Sequence, residues 1–190
     1  VTICEGTNAL LAVNPTDAAI FYRWYNSNNQ LLATGINYST PPLTANTTYY
    51  VEASNATGCL SPRKAVTVTV TPLPAAPLVA DRSICVNEQA ILAVSAPNAT
   101  LIYRWYNNTG NLLGTGPTYT TSALTANTVY YVEAATIATP SCTSTRSTVV
   151  VSVTPLPATP QANDVTVCSG STADLAVKDV DPNLTYKWYS

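Results

Sequence analysis

The sequence predicts an all-β protein made of tandem β-sandwich domains joined by short Pro-rich linkers. Three observations lead there. First, the text repeats: Cys4 and Trp24, Cys85 and Trp105, and Cys168 and Trp188 are each separated by twenty residues. YRWYN at 22–26 returns at 103–107 and, as YKWYS, at 186–190; LLATG at 31–35 returns as LLGTG at 112–116; LTANT-x-YYVEA at 43–53 returns at 124–134. Equivalent cysteines stand 81 and then 83 residues apart, too long for a helical solenoid repeat and close to one small sandwich. Second, the text between these marks consists of short apolar-polar alternations bounded by turn residues, with no sustained helical periodicity. Third, VTPLPA-x-P recurs at 70–77 and 153–160 as a joint between units.

Within the first unit the strands follow in order. Residues 1–4 and 8–13 make two, separated by Glu5-Gly6-Thr7. Residues 19–26 make the third, 30–34 the fourth, and 36–40 a short fifth before Pro41-Pro42. Residues 47–54 make the sixth, and 64–70 the seventh before the Pro-rich stretch. Seven strands in about 75 residues is the immunoglobulin-like count. The expected domains are therefore 1–73 and 74–156, with linkers 71–77 and 154–160, and 161–190 as the N-terminal part of a third repeat. That third copy stops inside its YKWYS strand, and the chain begins without Met, so the text reads as a piece of something longer.

Alternation assigns the faces. Tyr22 and Trp24 share one side of their strand, Arg23 and Tyr25 the other. A Trp on the third strand of a sandwich belongs in the core, so Trp24, Trp105 and Trp188 are expected to point inward. The interval from Leu43 to Tyr49, repeated from Leu124 to Tyr130, reads as a tyrosine corner: Tyr49 and Tyr130 pack inward and their hydroxyls bond backbone near the loop. Asp174 stands where Leu10 and Ile91 stand in the other copies. Burying an unpaired Asp is costly, so that position faces out, and Leu11, Val13, Leu92 and Val94 face the core. Arg23 and Glu52, like Arg104 and Glu133, fall outward on neighbouring strands and are expected to form cross-strand pairs.

Five cysteines, two per complete repeat and one in the partial one, predict disulfides within each repeat. The expected pairs are Cys4–Cys59 and Cys85–Cys142, with the partner of Cys168 beyond Ser190. Each would clip the first strand to the loop between strands six and seven at one end of the sandwich. Buried free thiols or a metal site are the alternatives, but a zinc site needs clustered ligands, and the chain has neither His nor C-x-x-C. Closing such a loop stabilises a domain by about 4 kcal/mol. An oxidising, exported location follows.

The linkers carry three prolines in seven residues and no Gly, which favours extended polyproline of about 3.1 Å per residue and a semi-rigid spacing of domains. Calcium at the joints needs several carboxylates, and only Asp81 and Asp164 stand near them. Charged residues are 9% of the chain and the net charge is −2, so no basic footprint for nucleic acid is present. No apolar run reaches the roughly 18–20 residues of a membrane span.

The residues offer little for catalysis. Without His there is no imidazole base, and no nucleophile elbow or phosphate-cradling glycine loop occurs. No catalytic, cofactor or metal residues are expected. The candidate binding feature is aromatic: Tyr25 with Tyr50, and Tyr106 with Tyr131, fall on one outer sheet face. They would form either a platform for sugar rings or a protein partner, or simple cross-strand packing.

YRWYN…LLATG…LTANTTYYVEA…CLSPR…VTVTV resembles the bacterial immunoglobulin-like repeat of large secreted Bacteroidota proteins, the Ig-like domain associated with C-terminal sorting regions. The resemblance covers both full repeats and the third as far as it goes. It implies tandem arrays in long cell-surface or released proteins, type IX export, and roles in adhesion or gliding motility. In such a protein the six N-x-S/T sequons (Asn37, Asn46, Asn55, Asn98, Asn107 and Asn183) imply no glycan. The expected function is thus a non-catalytic stalk, with neighbouring repeats as partners and no cofactor. The alternatives are a module binding surface glycans or proteins through the Tyr face, and a spacer within a secreted polysaccharide-degrading enzyme.

Overall fold

The computed structural model describes residues 1–14, 17 and 19–189. The chain forms two compact units, Val1–Val153 and Thr154–Ser190. The first holds two seven-stranded sandwiches. One consists of β1 (Thr2–Cys4), β2 (Leu10–Ala12), β3 (Phe21–Tyr25), β4 (Leu31–Thr34), β5 (Asn37–Ser39), β6 (Thr47–Ser54) and β7 (Lys64–Thr71). The other consists of β8 (Arg82–Cys85), β9 (Ile91–Ala93), β10 (Leu101–Tyr106), β11 (Leu112–Thr115), β12 (Thr118–Thr120), β13 (Thr128–Thr136) and β14 (Ser147–Thr154). Five strands form one sheet, in the order β1-β7-β6-β3-β4 and again β11-β10-β13-β14-β8, and β2 with β5, or β9 with β12, form the second. The all-β sandwich and its strand positions agree with the reading of the sequence.

The cores are built from the inward sides of these strands. Leu11, Trp24, Leu43, Tyr49 and Val68 cluster in the first sandwich, and Leu92, Trp105, Leu124, Tyr130, Val149 and Val151 in the second. Trp24 is 1% exposed and Trp105 0%. Each indole N–H donates to a glycine carbonyl at 3.0 Å, that of Gly35 or Gly116. Both glycines have φ above 120°, which a side chain would strain. The neighbouring Leu10 and Ile91 are more than half exposed, while Leu11 and Leu92 are buried, as period-2 alternation requires.

Thr40 and Thr121 are buried and were not singled out in the sequence. Thr40 Oγ1 accepts from the Ala9 N–H at 2.9 Å and donates to the Pro41 carbonyl at 2.8 Å; Thr121 does the same between Ala90 and Ser122. The latch ties each short second sheet to the turn after β5 or β12.

The tyrosine corner requires correction. Tyr49 and Tyr130 are buried, and Tyr49 packs edge-on against Tyr38 at 5.4 Å, but among the described residues neither hydroxyl makes a hydrogen bond. Burial pushes both phenols up from their ordinary pKa. The backbone anchors are instead Tyr22 and Tyr103, two residues before each Trp. Tyr103 Oη accepts from the Asn98 N–H at 2.8 Å, and Tyr22 Oη from the Asp17 N–H at 3.4 Å.

The second unit carries only a two-stranded ladder, β15 (Gln161–Ala162) with β16 (Val177–Lys178). Here the inward placement of Trp188 is overturned: it is 54% exposed, and residues 186–189 form no strand. The physical reason is pairing. The Trp strands β3 and β10 are hydrogen-bonded on both sides, to β6 and β4 or to β13 and β11. Residues 161–189 contain no counterpart of those partners. Ser190 lies outside the described residues.

Candidate functional site

The recurrent polar feature of each sandwich lies on the outer side of its five-stranded sheet. Register sets Arg23 opposite Glu52 and Tyr25 opposite Tyr50 in the β3–β6 pair, and likewise Arg104 opposite Glu133 and Tyr106 opposite Tyr131. Glu52 is only 7% exposed. One of its oxygens accepts the Tyr25 hydroxyl at 2.5 Å and lies 3.7 Å from Arg23 Nη1; the other accepts Arg63 Nε at 3.0 Å. The Arg63 guanidinium lies over the Tyr25 ring, 3.7 Å from its centroid, and its Nη1 donates to Asn29 at 2.7 Å. The second sandwich repeats the cluster: Glu133 accepts Tyr106 Oη at 2.8 Å and Arg146 Nε at 3.1 Å, with Arg104 at 3.6 Å and Arg146 stacked on Tyr106 at 3.7 Å.

Of the two readings open for the outward tyrosines, this arrangement fits packing for Tyr25 and Tyr106. Tyr25 is buried, and Tyr50, Tyr106 and Tyr131 are half-buried. Tyr25 and Tyr106 lie beneath arginines that arrive from the loop before the last strand. Those arginines close a recurrence, C-x-S-x-R at 59–63 and 142–146, whose arginine carries no local sign of the ring it covers. Its Ser has a role as well: Ser61 Oγ accepts the Ala53 N–H and Ser144 Oγ the Ala134 N–H, both at 2.9 Å. Each Arg–Glu pair is therefore part of a four-membered cluster around a buried carboxylate, Glu52 with Tyr25, Arg23 and Arg63 or Glu133 with Tyr106, Arg104 and Arg146.

The electrostatics follow. The hydrogen bond from Tyr25 holds the Glu52 carboxyl below the usual range; burial opposes it, and the bond and charge of Arg63 and the charge of Arg23 reinforce it. The same bond to Glu52, then burial, pushes the Tyr25 phenol up. Tyr106 is pushed up by burial first and by its bond to Glu133 second. The Glu52 carboxylate is thus held ionised between a phenol and two arginines as a tie within the sheet. The cluster joins β3, β6 and the loop before β7.

The cysteines are arranged otherwise than expected. Cys4 is bonded to Cys142, across the linker between the two sandwiches, and Cys59, Cys85 and Cys168 are free and exposed. Neither Cys4–Cys59 nor Cys85–Cys142 forms. Strand direction explains why. β1 runs parallel to β7, with Cys4 opposite Thr71, so Cys4 sits where the chain leaves the sandwich. The loop carrying Cys59 precedes Lys64, at the other end of that eight-residue strand. At about 3.3 Å per residue the two ends lie more than 20 Å apart, far beyond the reach of a disulfide. Cys142, in contrast, occupies the pole of the second sandwich that receives the linker: Ser147, five residues on, donates to the Pro77 carbonyl at 2.6 Å.

Among the described residues no group of three His, Cys, Asp or Glu side chains is placed to hold a metal ion, and no helix is long and apolar enough to cross a membrane. A cleft of about 450 Å³ lies under the linker, lined by Pro72, Leu73, Leu78, Ser95 and Tyr103 among others. The Tyr103 hydroxyl there is already occupied by Asn98.

Strand order, inward tryptophans and clustered outer faces define the first unit as a tandem of immunoglobulin-like β-sandwiches. The Ig-like domain family described as CHU_C associated matches the chain twice, over residues 1–72 and 74–155, and the chain belongs to that family. No curated protein matches the chain. Among solved structures it is similar to the fibronectin(III)-like modules of Clostridium thermocellum CbhA, at 16% identity over 81% of this chain and 89% of that one, with a TM-score of 0.45. It is also similar to titin domains z1z2 in complex with telethonin, at 16% identity over 83% and 93%, with a TM-score of 0.33. A third likeness is to three N-terminal domains of the bacteriophage RB49 outer capsid protein Hoc, at 12% identity over 82% and 67%, with a TM-score of 0.43.

Proposed function

We propose that the chain is a non-catalytic stalk or spacer region of a long, exported bacterial cell-surface protein of the adhesin type, the kind that serves attachment or gliding. One observation carries the reading. The recurring glutamates, buried threonines and loop serines are each consumed inside their own sandwich: Glu52 and Glu133 by tyrosine and two arginines, Thr40 and Thr121 by backbone, Ser61 and Ser144 by backbone. What is duplicated is the means of holding the sandwich together. A functional cleft would instead present unspent donors and acceptors to a ligand.

Location outside the cytoplasm is supported by the Cys4–Cys142 bond, since disulfides persist in oxidising compartments. Export by the type IX route and attachment to the cell surface are part of the same reading and rest on the family. The test is a glycan array together with a surface-protein capture assay using the 190-residue chain. The expected result is no saturable binding. Saturable binding that is lost in Tyr50→Ala plus Tyr131→Ala would overturn the reading in favour of a binding module.

A further inference from the structure

We infer that the cysteines of this repeat form a covalent ladder along the array: the first-strand cysteine of each repeat bonds the loop cysteine of the repeat that follows it. On this register Cys85 takes the loop cysteine of a repeat standing after the second. Cys59 takes the first-strand cysteine of a repeat standing before the first.

Two independent correspondences carry this. The first is between Cys4, which is bonded, and Cys85, which is free. Each heads the same turn. The Thr7 N–H donates to the Cys4 carbonyl at 3.1 Å, and the Glu88 N–H to the Cys85 carbonyl at 3.2 Å. Gly6 and Asn87 occupy the same left-handed position, at φ +78° and +68°. Gly6 N–H donates to Leu43 and Asn87 N–H to Leu124, both at 2.8 Å, so both turns are tied to the same pole of their sandwich. In both repeats that pole is the one from which the last strand, β7 or β14, runs into a Pro-rich linker. Cys168 heads the turn a third time, with the Ser171 N–H on its carbonyl at 3.0 Å and Gly170 at φ +84°.

The second correspondence is between Cys142, bonded, and Cys59, free. Each precedes by two residues the serine that caps the sixth strand, Ser144 or Ser61. The residues next to them form the same isolated bridge, Thr143 to Ala135 and Leu60 to Ser54. The loop of the second repeat is two residues longer, yet the cysteine keeps its register to the serine. Each repeat thus carries one bonding position at either pole. Within a repeat the two are too far apart to meet; across a linker the pair Cys4–Cys142 has met. The partner for Cys85 or Cys59 is accordingly another copy of this repeat, held nearby by a linker that raises its effective concentration.

The chemistry balances as ordinary thiol oxidation. The Cys85 thiolate attacks a disulfide oxidant and forms a mixed disulfide, and the loop thiolate then displaces the oxidant. Two protons and two electrons leave the protein thiols, and the oxidant departs as two thiols.

The test inserts a second copy of residues 78–160 between Pro160 and Gln161 of the full chain. The protein is oxidised in a glutathione buffer, alkylated and mapped by mass spectrometry. The expected map has Cys4 bonded to Cys142 and Cys85 bonded to the inserted copy's Cys142, with Cys85 losing its alkylation; Cys142→Ser in the inserted copy restores that alkylation. Cys85 alkylated as fully as Cys59, or bonded to Cys142 of its own repeat, would overturn the ladder. Near-ultraviolet circular dichroism of the oxidised protein verifies that the inserted sandwich is folded, and Cys85→Ser, which leaves the inserted copy's Cys142 free to alkylate, gives the same reading from the partner's side. The outcome is independent of the glycan-array result, because it reports only which cysteines meet.

Discussion

The Arg63 guanidinium lies over the Tyr25 ring, its carbon 3.7 Å from the ring centroid, and its Nε donates to the carboxylate that receives the Tyr25 hydroxyl. Removing it takes away a stacked cation and half the neutralisation of a buried charge. Arg63→Ala is expected to destabilise the first sandwich by about 1–3 kcal/mol, less than a fully buried pair would lose, because Arg23 remains and Arg63 is partly exposed. Arg63→Lys should recover less than half of the loss, since an ammonium cannot stack as a plane and fork to a carboxylate. Urea denaturation followed by tryptophan fluorescence measures both. Arg146→Ala is the parallel change in the second sandwich.

The Tyr25–Glu52 bond makes stability depend on pH at both extremes. Glu52 has a folded pKa below its unfolded value of 4.5, so its contribution is present above that value and is lost as pH falls through the folded pKa. Tyr25 has a folded pKa above its unfolded value of 10.0, so its contribution is present below that value and is lost as pH rises through the folded pKa. Stability of the first sandwich should therefore be level between about pH 5 and 9. Tyr25→Phe should weaken both flanks, which a series of denaturation midpoints against pH would show. Unchanged flanks would mean the bond contributes nothing to folding.

The disulfide register separates two cysteine variants that an intra-repeat bond would make equivalent. Cys4–Cys142 closes a separation of 138 residues. The chain-entropy formula gives about 5 kcal/mol for a loop of that length. Cys4→Ser should lower the thermal midpoint by on the order of 10 °C and open the 71–77 linker to proteolysis. Cys59→Ser, which removes only a free thiol, should stay within about 0.5 kcal/mol of the parent. Equal losses in the two variants would point back to a Cys4–Cys59 bond.

How far the sequence could be read follows from these residues. Strands, faces and the buried Trp24 and Leu11 were legible because period-2 alternation is local and the repeat states it twice. The pairing of Arg23 with Glu52 was legible because neighbouring strands follow from the fold class. The disulfides were not, because counting cysteines per repeat says nothing about which pole each occupies. That needed the parallel run of β1 along β7, a tertiary fact. The choice between a tyrosine platform and packing was not legible for a related reason. Alternation places Tyr25 on the outer side of its sheet, but an arginine from a loop distant in sequence then covers it. The C-x-S-x-R recurrence was the signal available for that arginine.

Thr40 offers a test of a different kind of bond. Its side chain is 1% exposed and holds the Ala9 N–H on one side and the Pro41 carbonyl on the other. Valine matches threonine in shape, so Thr40→Val changes packing little and removes both hydrogen bonds. The Thr40 N–H keeps its own bond to the Ala9 carbonyl at 2.9 Å, but the Ala9 N–H is left buried without an acceptor. An unsatisfied buried donor costs about 1–3 kcal/mol, more than the net worth of an ordinary hydrogen bond. Thr40→Ser keeps the oxygen and loses a methyl group, so it should cost less than Thr40→Val even though it opens more space. Thr121→Val and Thr121→Ser should give the same order in the second sandwich. If valine were the milder change at both positions, packing rather than the latch would hold the second sheet in place; denaturation midpoints of the four variants decide between them.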